Sequence, residues 1–188
     1  MPVLAFAEVA RFAPASFVET GTGDCLGIDT ALRQPGMSIQ SIDLDERIYR
    51  TACHRFREEP RVRPYLGSSP DLLPLVVDRA RRTMFWLDAH WSGGNFGLAV
   101  DAARGQCPLL AELRAIADLG MQAPFRILVD DARCFDPDFW SSQPAQGYQG
   151  FRVDEWPTLA AIEATARSFG WRIAPGEDGD RDYLVIDP

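Results

Sequence analysis

The sequence contains no lysine, so all 19 of its Lys+Arg positions are arginine. That absence excludes chemistry that needs a side-chain amine: a pyridoxal-phosphate Schiff base, a Walker A phosphate loop, and the Tyr-x-x-x-Lys site of short-chain dehydrogenases. Cysteine is scarce and dispersed: Cys25, Cys53, Cys107 and Cys134 form no Cys-x-x-Cys pair. Neither a zinc ribbon nor a dithiol redox site is suggested, and reduced, mostly buried thiols are expected. There is no basic run, and the formal net charge of -8 argues against a nucleic-acid or anionic-membrane surface. A small molecule or another protein is the expected partner, with homo-oligomerisation left open. No apolar run is long enough to span a bilayer. The N-terminal stretch carries Glu8 without a basic lead, so a signal peptide is not expected and the cytoplasm is the expected compartment.

At 188 residues the chain reads as one domain, 1–188, too short for a cofactor domain plus a separate substrate domain. Its most informative stretch is Phe17-Val18-Glu19-Thr20-Gly21-Thr22-Gly23-Asp24-Cys25-Leu26-Gly27. An apolar strand end, an acid, a glycine turn and a helix start make a cofactor cradle, because glycines let the backbone approach a ligand and helix amides then face it. The same pattern also describes a plain strand-to-helix corner. A second apolar strand, 39–44, ends in Asp43, about twenty residues after the glycines, where a ribose-binding carboxylate belongs. The pair favours a nucleotide-type cofactor.

The rest of the chain alternates strands and helices. A short helix is expected over 3–12, and a two-turn helix from Leu26 to Arg33. Asp45 reads as the N-cap of a helix over 46–59, with Ile48, Ala52 and Phe56 inward and His54 and the arginines solvated. An edge strand over 61–66 precedes a helix capped by Ser69, with Pro70 at its first position, running through Val77 to Ala80 and kinked at Pro74. The apolar runs 83–87 and 125–129 read as central parallel strands whose carboxyl ends carry Asp88 and Asp130-Asp131, where open α/β sheets bind ligands. A flexible loop is expected over 92–105 and a helix over 108–119. The aromatic, aperiodic stretch 132–154 is a candidate lid. A helix over 157–169 and an antiparallel hairpin, 171–173 with 183–186, close the chain.

These features resemble the class I S-adenosylmethionine-dependent methyltransferases over residues 17–188. The more specific likeness is to small bacterial methyltransferase-like proteins related to sugar and macrolide O-methyltransferases. It is carried by Phe-Val-Glu-Thr-Gly-Thr at 17–22, Trp-Leu-Asp-Ala-His-Trp-Ser-Gly-Gly at 86–94, Cys-Pro-Leu-Leu-Ala-Glu-Leu-Arg-Ala-Ile at 107–116, Asp-Asp-Ala-Arg at 130–133 and Trp-Pro-Thr-Leu at 156–159. The resemblance implies a Rossmann-like α/β fold, a mostly parallel seven-stranded sheet with an antiparallel C-terminal strand. It also implies S-adenosylmethionine over the first two strands, with Glu19, Gly21, Thr22 and Gly23 along its methionine and ribose part, Asp43 on the ribose hydroxyls, and Ser68 and Asp88 nearby. Two positions depart from the pattern: Cys25 interrupts Gly-x-Gly-x-Gly, and Ser68 stands where an acid near the adenine is common.

The resemblance further implies Mg²⁺ on Asp88, Asp130 and Asp131, for which the alternative is turn and helix capping. His90, two residues past Asp88, is expected as the base for an acceptor hydroxyl, its alternative being a structural histidine. Trp91, Trp140 and Trp156 read equally as core or as acceptor platform. The function expected is methyl transfer to a small-molecule hydroxyl. The rivals are a non-catalytic Rossmann-like binding or interaction module and an NAD-dependent oxidoreductase, against which the missing lysine and missing second domain count.

Overall fold

The computed structural model describes residues 6–91, 99–142, 150–176 and 182–188. Strands β1 (Ser16–Thr20), β2 (Ser38–Asp43), β3 (Val62–Leu66), β4 (Thr83–Leu87), β5 (Phe125–Val129), β6 (Arg172–Pro175) and β7 (Leu184–Asp187) form one seven-stranded sheet in the order β3-β2-β1-β4-β5-β7-β6. All are parallel except β7, which runs antiparallel to both β5 and β6. β1 and β4 are buried along their whole length, the reason their sequences read as continuous rather than alternating.

Alternate residues of the strands serve two cores. Phe17, Ile39, Met84, Trp86 and Leu128 pack with Val9 and Phe12 of α1 (Phe6–Phe12), Ile28 and Ala31 of α2 (Leu26–Ala31), and Ala52 of α3 (Glu46–Arg55). On the opposite face Val18, Ile42, Phe85, Leu87, Ile127 and Val129 pack with Leu73 of α4 (Ser69–Val76), Leu113 and Ile116 of α5 (Leu109–Asp118), and Ile162 of α7 (Leu159–Ser168). The chain leaves β1 for β2 and β3 on one side and returns to β4 on the other. The crevice at the carboxyl ends of β1 and β4 is therefore the topological switch point of the sheet.

The expected order and types of elements are present, with four differences. α3 stops at Arg55, short of Glu59; Asp45 is its cap, accepting from Arg47 N at 2.8 Å and Ile48 N at 3.4 Å. α4 begins at Ser69, so Ser68 holds the cap position, and neither hydroxyl caps the helix: Ser69 donates to the buried Glu112 carboxylate at 2.5 Å and Ser68 to Asp101. α4 itself ends at Val76, with Pro74 inside it and Val77 extended. The stretch 132–154 is not aperiodic throughout: a 3₁₀ turn (Ala132–Phe135), α6 (Pro137–Ser142) and a second 3₁₀ turn (Val153–Glu155) interrupt it. Residues 143–149 of the expected lid, 92–98 of the expected flexible loop, 177–181 of the hairpin turn and the first five of the N-terminal helix lie outside the described residues. Among the described residues no helix is long and apolar enough to cross a membrane, and all four cysteines are free, Cys53 alone being partly exposed.

Candidate functional site

A cavity of about 350 Å³ opens over the switch point. One half is built by the segment after β1. Gly21 (φ 80°) and Gly23 (φ 51°) are left-handed, and so is Cys25 (φ 70°), the residue that interrupts the glycine pattern. Cys25 thus keeps the turn a glycine would make, at a cost of about 1–2 kcal/mol for an L side chain. A Cβ on Gly21 would lie 2.1 Å from the Asp88 carbonyl oxygen, whereas one on Gly23 would meet nothing within 4 Å. The first glycine lets the turn press against β4, and the second borders open space.

Asp43 anchors this turn. Its Oδ2 accepts from Thr22 N at 2.9 Å and Gly23 N at 3.3 Å, and its Oδ1 from Asp45 N at 2.8 Å. Burial raises its pKa and these three donors pull it back, leaving it still above the ordinary range. Glu19 is 2 % exposed. Its Oε2 accepts from Ser41 Oγ at 2.5 Å, and Ser41 Oγ lies 2.7 Å from Thr22 Oγ1. Burial holds its pKa well above the usual value, opposed by Ser41 and aided by the charges of Asp88, Asp43 and Asp24. A Cβ on Gly27 would fall 1.7 Å from Glu19 Oε1, so a side chain there would displace the acid from its present position. Leu26 and Leu44, 40 % and 37 % exposed, flank the cavity with bare apolar surface.

At the end of β3, Ser68 Oγ donates to Asp101 Oδ2 at 2.5 Å, and Arg104 bridges Asp101 and Asp71. An acid 33 positions away, itself paired with Arg104, thus stands beside position 68. Burial raises the Asp101 pKa, but Ser68, Ala103 N and Arg104 outweigh it and the net shift is downward.

The other half gathers the acids after β4 and β5. His90 Nε2 stands 3.1 Å from Asp88 Oδ1 and 3.2 Å from Asp131 Oδ2, its side chain 6 % exposed. The ring is shared between the two carboxylates and aligned with neither, and Nδ1 is buried without a hydrogen-bond partner. Burial alone would lower the His90 pKa; the bonds and charges of Asp131 and Asp88 override it and hold it well above the ordinary value. Asp131 is left-handed (φ 52°), and its Oδ1 pairs with Arg133 at 2.7 Å. Arg133 also pairs with Asp182. Asp130 is 4 % exposed and accepts from Asp131 N at 2.7 Å. Burial, then the charges of Asp88 and Asp131, push its pKa up to about 9.

Aromatic rings cover this half. Trp156 lies 4.9 Å from the His90 ring, Phe151 5.3 Å from Trp156, and Trp140 stacks on Phe151 at 3.5 Å. Trp140 and Trp156 are at once core and cavity wall. Gln106 ties the cover down: its Nε2 donates to Gly150 O at 2.6 Å, and its Oε1 accepts from Arg152 N at 2.9 Å and Trp156 Nε1 at 3.4 Å. Sequence reasoning passed over Gln106, Asp101 and Arg104, because no local pattern marks a side chain whose partners lie tens of residues away.

All the expected site residues, Glu19, Gly21, Thr22, Gly23, Asp43, Ser68, Asp88, His90, Asp130 and Asp131, line one cavity. The chemistry of its first half is compatible with a cationic ligand such as S-adenosylmethionine: among the described residues Glu19 is a buried acid with no cationic partner, and Gly23 borders open space. The expected Mg²⁺ does not fit. That ion requires near-octahedral oxygen ligands at about 2.0–2.1 Å. Here an imidazole stands between Asp88 and Asp131, and among the described residues no cluster of three or more His, Cys, Asp or Glu has metal-holding geometry. His90 offers no ring nitrogen to open solvent, which bears directly on a base role.

No protein-family model matches the chain, and neither does any curated protein. Solved structures do resemble it. A Staphylococcus aureus protein described as a caffeoyl-CoA O-methyltransferase superposes with a TM-score of 0.66 at 15% identity, covering 97% of this chain and 79% of that one. A Podospora anserina methyltransferase with bound S-adenosylhomocysteine gives 0.63 at 11% identity, covering 97% and 75%. An O-methyltransferase of tomaymycin synthesis from Streptomyces achromogenes, in complex with S-adenosylmethionine, gives 0.58 at 15% identity, covering 96% and 75%. The chain has the Rossmann-like class I methyltransferase fold.

Proposed function

We propose that this chain binds S-adenosylmethionine over β1 and β2 and transfers its methyl group to the hydroxyl of a small molecule seated over β4 and β5. The observation that carries the reading is Glu19, buried behind the glycine turn without a cationic partner among the described residues, at the switch point of this fold. S-adenosylmethionine supplies a methyl group already activated on a sulfonium, so the protein's work is alignment and exclusion of water. Glu19 and Asp43 set the donor end, the second by holding the turn; the Trp140–Phe151–Trp156 cover walls the acceptor end. Asp88, whose side chain is 33 % exposed, is the acid open to the acceptor, with His90 Nε2 behind it. The hydroxyl proton passes to this pair when His90 is neutral, so turnover rises with pH through the raised His90 pKa. No metal is assigned a step.

The non-catalytic alternative rested on the departures at positions 25 and 68. Cys25 keeps the left-handed turn and Asp101 stands beside Ser68, which weakens that alternative. Calorimetry against S-adenosylmethionine, S-adenosylhomocysteine and NAD separates the readings. Binding of the first two and not NAD is expected; binding of NAD alone overturns the proposal. Isotopically heavy methyl followed by mass spectrometry across phenolic and aliphatic alcohols then tests transfer itself.

A further inference from the structure

We propose that His90 is the built-in plug of the carboxylate cluster: the native protein takes no divalent cation there, and removal of the imidazole creates a divalent-cation site. The adjacent strands β4 and β5 pair Leu87 with Val129, which brings Asp88 and Asp130-Asp131 out at one end of the sheet. Such a set of hard oxygens would ordinarily gather a hard cation. His90 Nε2 lies nearly equidistant, at 3.1 Å and 3.2 Å, from one oxygen of each outer acid. A cation about 2.1 Å from both oxygens on the side where the ring lies would overlap it. Two further acceptors are also occupied, Asp131 Oδ1 by Arg133 and Asp130 Oδ1 by Asp131 N.

The ring cannot simply swing aside. Its side chain is 6 % exposed, and Trp156, itself held by Gln106, lies against it at 4.9 Å. The imidazole occupies the space between these carboxylates, and it is carried by the chain. The inference rests on the position of the ring and is independent of the methyl-transfer reading.

The test is titration of the full chain with Mn²⁺, followed by electron paramagnetic resonance of the free ion, for wild type, His90→Ala and His90→Ala/Asp131→Asn. Wild type should show no saturable binding up to about 1 mM, while His90→Ala should bind one Mn²⁺ at least about tenfold more tightly and lose it in the double variant. Stoichiometric binding by wild type that Asp131→Asn abolishes would overturn the proposal. So would a folded His90→Ala that binds no better than wild type. Should His90→Ala not fold, His90→Ser carries the same two outcomes, and the wild-type titration decides the native half alone.

Discussion

Asp43, at the end of β2, and Asp131, after β5, are carboxylates at the rim of the same sheet, yet one is met by backbone and the other by side chains. Asp43 accepts three N–H groups from Thr22, Gly23 and Asp45. Asp131 faces His90 and Arg133, each of which has a second acid to turn to, Asp88 and Asp182. Backbone donors are fixed and have no alternative partner, so the first half of the crevice is rigid and intolerant of loss. The side-chain donors Arg133 and His90 each face a second acid, so loss of one acceptor in the second half strands no donor, even though packing holds the His90 ring in place.

The largest effect should come where the halves touch. Gly21→Val would drive a Cβ to 2.1 Å from the Asp88 carbonyl oxygen in a left-handed conformation. A β-branched residue there should cost at least about 4 kcal/mol, read by urea denaturation, and abolish S-adenosylhomocysteine binding. A loss below about 1 kcal/mol would mean that the turn and β4 are not packed as a unit. Next comes Asp43→Ala, which strands three backbone donors. A loss of about 2–4 kcal/mol, with weaker S-adenosylhomocysteine binding, is expected from donors left without acceptors.

These two sites were also the legible ones. The glycine turn and Asp43 announce themselves because their partners lie at a spacing the βαβ unit fixes, and the strands because full burial on both faces writes an unbroken apolar run. Asp88, Asp130 and Asp131 were legible as strand ends, but their wiring was not. Whether a histidine two residues past an acid acts as a base, meets a metal or plugs a cluster depends on where Asp131 and Trp156 arrive from other elements. Ser69 reads as a cap from the sequence, but its hydroxyl goes to Glu112 of α5 and that of Ser68 to Asp101, so no side chain caps α4. In each case a side chain with several local options was decided by a distant partner.

Asp130 allows the comparison to be sharpened with a gain rather than a loss. Its folded pKa of about 9 stands above the ordinary 3.8, because burial and then the charges of Asp88 and Asp131 disfavour ionisation. The folded state therefore holds this proton more tightly than the unfolded chain, and stability falls as pH rises from the unfolded pKa toward the folded one. Asparagine does not titrate and its Oδ1 can still accept from Asp131 N. Asp130→Asn should thus be more stable than wild type by about 1–3 kcal/mol near pH 8.5, with a smaller difference near pH 5, as seen by thermal melts at the two values. An advantage that grows toward acid would reverse the assignment.

The smallest effect should be at Asp131, the direct counterpart of Asp43. Asparagine is the replacement that isolates the charge, since Asn tolerates the left-handed backbone that Asp131 adopts at φ 52°. After Asp131→Asn, Arg133 keeps Asp182 and His90 keeps Asp88, so no donor is stranded. Arg133 is 41% exposed, and pairing by so exposed a side chain is screened by solvent and worth little. Loss of one negative charge also relieves Asp130, offsetting part of what is lost. The net cost should be no more than about 1 kcal/mol by urea denaturation, and smaller still at high salt. If Asp131→Asn instead costs as much as Asp43→Ala, the redundancy assigned to the side-chain half does not exist, and Asp182 and Asp88 do not make good the lost partner of Arg133 and His90.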